Sequence, residues 1–186
     1  MSESTKTRIW LDPGHGGSDP GCTAENDKIT EASLVHQIAS AMRQLSSETV
    51  FYGISRTEKQ KPTKLARATG AHVWGAQGAL VLHFNNIEDR RVNRTDMFAI
   101  GKVPPLWERK VLDLGMGLAF QVHSVTPMHY PRVWNCLKHY ATFRIPTVLL
   151  EIAFLDRPVT LVYLADGGVE KLAKSIHSWV EESVQA

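Results

Sequence analysis

The sequence predicts a single α/β domain built on a partly parallel sheet. Short apolar runs alternate with stretches of helical periodicity along all 186 residues, the pattern of strands and helices taking turns in layers. No internal repeat and no linker divides the chain, so residues 1–186 read as one domain behind a polar tail at residues 1–7. That length buries about 70% of the surface the unfolded chain exposes, and with 43% hydrophobic and 22% charged residues a disordered chain is excluded.

Residues 8–12 read as the first strand. A helix then starts near Glu31, with Leu34, Ile38, Ala41 and Leu45 on one face and Thr30 as N-cap. Val50 to Ile54 reads as a strand, Thr63 to Ala76 as a helix, Ala79 to His83 as a fully buried strand and Met97 to Ile100 as a further one. Trp107, Val111, Leu114, Leu118 and Val122 are spaced as a long helix, although Gly115 and Gly117 weaken it by up to about 1 kcal/mol each. Residues 123–145 read as irregular, Thr147 to Leu150 as a central strand, and Val169, Leu172, Ile176, Trp179 and Val180 as a C-terminal helix packed on the sheet.

A formal net charge of +2 is too small to argue for nucleic acid as a partner, yet does not oppose approach to an anionic polymer. No apolar run approaches the roughly 18 residues of a membrane span, and the polar N-terminus is followed by no signal-like apolar segment. The expectation is a monomer made in the cytoplasm without membrane insertion. Cys22 and Cys136 form no CxxC pair and read as free thiols.

Chemistry gathers at element boundaries. His15 follows the first strand inside Asp12-Pro13-Gly14-His15-Gly16-Gly17, where glycine lets the backbone turn sharply beside a bound group. His83 ends one apolar run, Glu151 ends another, and Glu31 opens a helix. In an open α/β sheet the ligand crevice lies at the carboxyl ends of the strands, where these residues would converge. Each has a plainer reading: a hydrogen-bonded loop histidine, or a first-turn acid at the helix dipole. Glu151 resists it, because a carboxylate at the end of a buried strand is costly unless paired or functional. Two histidines with two carboxylates suggest a hydrolytic zinc site. Glu25 is a second candidate ligand, but only Glu31 is followed by an apolar helical pattern. There is no HExxH motif.

Leu11-Asp12-Pro13-Gly14-His15-Gly16-Gly17-Ser18-Asp19-Pro20-Gly21 resembles the opening motif of the zinc-dependent N-acetylmuramoyl-L-alanine amidases of the Amidase_3 type. Glu31 with Leu34 and Ala39 is similar to that family's ligand helix, Ser55-Arg56-Thr57 and Leu65-Ala66-Arg67 to its arginine-bearing stretches, Leu82-His83-Phe84-Asn85 to its second histidine, and Pro146 to Leu155 to its glutamate strand. The resemblance implies a twisted, mixed and largely parallel sheet with helices on both faces. It implies Zn2+ held by His15, Glu31 and His83, with Glu151 catalytic in cleaving the amide between the muramic acid lactyl group and L-alanine of peptidoglycan.

Two departures stand out. The charged segment Glu88 to Asp96 replaces a glycine-containing stretch after Asn85, and Asp156 stands where the family has asparagine. Asn85, Arg90, Arg91 and Arg94 are the expected substrate contacts, the arginines pairing with stem-peptide carboxylates. A small amidase with no export signal resembles a phage endolysin, acting on the wall after release. The alternatives are a bacterial autolysin of the same activity, a non-catalytic peptidoglycan-binding module, or a phosphate-handling protein using the glycine loop as an anion cradle.

Overall fold

The computed structural model describes residues 6–25, 28–86, 92–100 and 112–185. Its sheet contains β1 (Thr7–Pro13), β4 (Val50–Ile54), β5 (Gly78–Asn85), β6 (Arg94–Ile100), β7 (Ala119–Ser124) and β8 (Thr147–Phe154), in the spatial order β4-β1-β5-β8-β6-β7. All neighbours are parallel except β6 and β8. The expected mixed, mostly parallel sheet is therefore present. β2 (Thr23–Ala24) and β3 (Ile29–Thr30) form a small antiparallel hairpin ahead of the first helix.

Helices cover both faces, and the period of two along each strand decides which residues meet which helix. Leu11, Leu80, Leu82, Val148 and Leu150 face α1 (Glu31–Gln44) and α5 (Gly168–Val184), which add Val35, Ile38, Leu172 and Ile176 to one core. Trp10, Ala79, Val81, Leu149 and Phe98 form the other core with Ala68 and Ala71 of α2 (Lys64–Trp74) and Leu137 and Tyr140 of α3 (Pro131–Thr142). A short α4 (Pro158–Ala165) precedes α5. Each fully buried Leu or Ile contributes about 2 kcal/mol.

The expected cap at Thr30 is made: it accepts the Ser33 amide at 3.3 Å to start α1. Thr63, read as the first helical residue, is instead the cap of α2 and accepts the Ala66 amide at 3.1 Å; each cap is worth about 1 kcal/mol.

Three expectations need correction. The helix expected through Leu114, Leu118 and Val122 is not there: residues 119–124 are β7, paired with β6, and Gly115 and Gly117 adopt φ of +73° and +65°. Those left-handed residues end any helix, and the first half of the expected helix falls outside the described residues. The supposedly irregular stretch 123–145 contains α3, with Pro131 at its first turn. Finally, Glu151 does not end its strand. β8 runs three residues beyond it, and β5 likewise continues past His83.

Candidate metal centre and active site

The face packed against α2 and α3 turns from apolar to polar toward the carboxyl ends of the parallel strands. Alternation carries Trp10 on to Asp12, Val81 to His83 and Leu149 to Glu151, while antiparallel β6 places Asp96 opposite Glu151. Three of these residues belong to neighbouring central strands, since His83 is the register partner of Glu151 on one side and Asp96 on the other.

The loop after β1 brings His15 to the same place through a strained backbone. His15 has φ of +56°, a left-handed conformation costing a non-glycine residue on the order of 1–3 kcal/mol. Two buried arginines hold it. Arg56 donates to the carbonyls of Pro13 (2.9 Å), Gly14 (2.6 Å) and Ala32 (2.9 Å). Arg67 donates to the carbonyls of Pro13 (2.7 Å) and His15 (2.6 Å) and to Asp12 Oδ1 at 2.7 Å. Asp12 also accepts from Ser55 Oγ and Tyr140 Oη, both at 2.6 Å, so β1, α2, α3 and the turn after β4 lock onto one buried carboxylate. Gly14 is required by close approach: a Cβ there would sit 2.2 Å from His83 Cε1.

His15, Glu31 and His83 form a cluster able to hold one metal ion, with one ligand atom from each lying within 4.8 Å of the others. Glu31, 2% exposed, lies between the two imidazoles, with Oε1 2.7 Å from His83 Nδ1 and Oε2 3.3 Å from His15 Nε2. The amides of Phe84 (3.0 Å) and Cys22 (2.9 Å) donate to the same carboxylate. Burial pushes its proton affinity up, but hydrogen bonds from His15 and His83 outweigh that and hold Glu31 below the usual carboxylate range. His83 is desolvated, which opposes its charge, yet the Glu31 hydrogen bond and the surrounding carboxylates raise its proton affinity above that of free imidazole. His15 Nδ1 lies 3.0 Å from Asp19 Oδ1. An Nδ1–H donated to that carboxylate leaves Nε2 as the electron-pair donor, the orienting arrangement usual for metal-binding histidine. Two imidazoles and one carboxylate, the last ionised, suit zinc with a position left for water.

Glu151 is set apart from this cluster by its environment. Its Oε2 is buried without a hydrogen-bond partner. Burial pushes its proton affinity up to about 7, Glu31 and Asp96 act in the same direction, and His83 and His15 oppose them. A carboxyl group poised near neutrality can both take and give a proton at working pH.

Of the expected substrate contacts, Asn85 accepts the Asn86 amide on its own Oδ1 at 2.8 Å, and Arg94 Nε lies 2.9 Å from both oxygens of Asp96. Arg90 and Arg91 lie outside the described residues. Asp96, 1% exposed, also accepts from His123 Nε2 at 2.7 Å, while Tyr130 Oη stands 2.9 Å from His123 Nδ1. This chain of polar groups beside Glu151 joins residues far apart in sequence. Asp19 had a visible signal, its four-residue spacing from His15. Cys22 and Cys136 are free thiols, and Cys22 Sγ points at the Phe84 carbonyl, 3.7 Å away.

The sequence model of the Amidase_3 family, described as N-acetylmuramoyl-L-alanine amidase, matches residues 9–182. The chain belongs to this family. Its Amidase_3 sequence is 40% identical over 82 residues to the sporulation-specific N-acetylmuramoyl-L-alanine amidase of Bacillus subtilis strain 168, covering 42% of this chain and 31% of that protein. The matched region thus spans about a third of that relative. Among solved structures, the Amidase_3 fold is similar to the catalytic domain of CwlV, an N-acetylmuramoyl-L-alanine amidase from Bacillus (Paenibacillus) polymyxa var. colistinus. The TM-score is 0.80 at 16% identity, over 96% of this chain and 98% of that one. The catalytic domain of the CD27L endolysin, which targets Clostridia difficile, is similar at a TM-score of 0.62 and 17% identity, over 95% and 98%. At these identities the likenesses concern the fold.

Proposed function

We propose that this chain is a zinc-dependent N-acetylmuramoyl-L-alanine amidase of peptidoglycan. His15, Glu31 and His83 hold the metal, and Glu151 transfers protons. The observation that carries the reading is the buried carboxylate of Glu31 set between two imidazoles, one of which, His83, is the register partner of Glu151, whose Oε2 is buried with no hydrogen-bond partner. Zinc bound there supplies Lewis acidity toward the amide carbonyl and lowers the proton affinity of water. Glu151 takes a proton from water as the water oxygen bonds to the lactyl carbonyl carbon. It returns that proton to the alanine nitrogen as the C–N bond breaks, leaving a free L-alanine amine and a lactyl carboxylic acid, which then gives its proton to solvent as the carboxylate. Arg56 and Arg67 keep His15 in its strained conformation through the carbonyls of the loop, and Asp19 fixes its ring. A non-catalytic wall-binding module has no use for Glu151, whose burial without a partner disfavours its charged form.

The test is lysis of purified cell walls by the protein before and after chelation. Activity should vanish with the metal and return with zinc; full activity in a verified metal-free preparation contradicts the proposal. A finer reading, a phage endolysin of the same activity rather than a bacterial autolysin, has its own test. It predicts that the protein, produced inside the host, lyses it only when a membrane-permeabilising holin is supplied.

A further inference from the structure

The candidate centre opens into a cleft of about 330 Å3 whose wall runs from His15 and His83 past Arg67 to Lys61, Thr63 and Lys64. That volume is at the small end of ligand pockets. The cleft lies on the β1 and α2 side of the cluster, away from β6 and Arg94. Most of its charge is already committed. Both oxygens of Asp12 accept hydrogen bonds from Ser55, Arg67 and Tyr140, and the Arg67 guanidinium is taken up by Asp12 and the carbonyls of Pro13, His15 and Pro62.

The two lysines differ. Lys61 Nζ stands 3.4 Å from Asp19 Oδ2 with 53% of its side chain exposed, a pair that water screens and a better-placed anion can displace. Lys64 is exposed at the start of α2, which has no acidic residue in its first turn. Its neighbours three and four residues on are Arg67 and Ala68, so the helix offers it no carboxylate.

The two halves of the substrate in the amidase reading differ in charge. The N-acetylated glycan is uncharged along its sugar rings, whereas the stem peptide carries free carboxylates within three residues of the scissile amide. We infer that this cleft receives the peptide arm of the substrate, and that Lys61 and Lys64 form a subsite selecting stem peptides with a free carboxylate. This rests on the amidase reading and adds the direction in which the substrate lies and the group it is chosen by. Long flexible ammonium groups suit a carboxylate presented on a mobile peptide, and exposed pairs of this kind set selectivity and association more than tight binding.

The experiment compares three soluble muropeptides with the zinc-loaded protein: one with all carboxylates free, one amidated at the α-carboxyl of the second residue, and one amidated at the side-chain carboxyl of a third-position diaminopimelate. Wild type should show a KM about fivefold lower for the free acid than for one of the amidated forms, and the form that loses affinity identifies the carboxylate bound. The gap should shrink as salt rises. In the Lys61→Ala/Lys64→Ala protein the three KM values should coincide, with kcat and zinc content unchanged, and Lys61→Glu/Lys64→Glu should reverse the preference. Equal KM values in wild type, or a preference that survives in the alanine variant, overturn the subsite while leaving the amidase reading standing. Failure of the zinc-loaded wild type to cleave any of the three overturns the amidase reading, and the subsite with it.

Discussion

Glu151→Gln separates the electrostatics of the buried carboxyl group from its packing. In the metal-free protein, burial raises the proton affinity of Glu151 from the ordinary 4.5 to about 7. Between those pH values the folded state binds more protons than the unfolded chain, so wild-type stability falls as pH rises through the window. The difference in proton affinity corresponds to about 3 kcal/mol between the ends of the window. Glutamine keeps the shape and removes the titration. Any packing or hydrogen-bonding cost of the amide is the same at every pH. Urea unfolding of chelated wild type and variant at about pH 4 and about pH 8 should therefore show the variant gaining on wild type by about 3 kcal/mol on going to the higher pH. Parallel stability curves would mean that Glu151 is not held protonated by its surroundings, and the argument for its role as a proton-transfer group would fall with them. With zinc restored, the same variant should keep the metal and lose about 10²- to 10⁴-fold in turnover.

Other substitutions test the supports of the centre. His15→Ala and His83→Ala should each lose most of the zinc, measured by elemental analysis, because an incomplete shell of ligands remains; stoichiometric metal in either variant removes that residue from the set. Gly14→Ala places a Cβ 2.2 Å from His83 Cε1 and should weaken zinc binding by about 10- to 100-fold with the circular dichroism spectrum unchanged. Arg67→Ala leaves Asp12 buried without its cation and should cost about 3–5 kcal/mol in urea unfolding; Arg67→Lys should not restore it, since a single ammonium cannot replace a fork that bonds Asp12 and three carbonyls. Because Glu31 and the carboxylates around it raise the proton affinity of His83, and zinc must displace that proton, zinc affinity by competition titration should fall steadily from about pH 8 to about pH 6.

The cluster His15, Glu31 and His83 was legible because local pattern marks each residue: a glycine loop after an apolar run, a capped helix start, and the first polar residue after a buried apolar run, although β5 itself continues to Asn85. Glu151 was legible as an anomalous charge in an apolar run, but not as a residue inside its strand, since β8 continues beyond it across a register shift against β5, where Phe154 pairs with Asn85. The missed α3 is preceded by Tyr130 at the cap position, which has a left-handed φ of +61° and no side-chain cap bond, so no N-cap signal announces it. The misread stretch around Leu118 illustrates the opposite error. Spacings of three and four residues imitate a helix, while β7 is mostly exposed and shows no alternation to reveal a strand. Asp96, His123 and Tyr130 meet only through the pairing of β6 with β7, which no local signal specifies.

The most direct test of the central claim is mass spectrometry of peptidoglycan digested by the zinc-loaded protein. The account predicts free stem peptides whose new amino terminus is L-alanine, together with glycan strands of unchanged length bearing lactyl carboxylates. New reducing sugar ends, cleavage within the peptide, or no soluble product would contradict it.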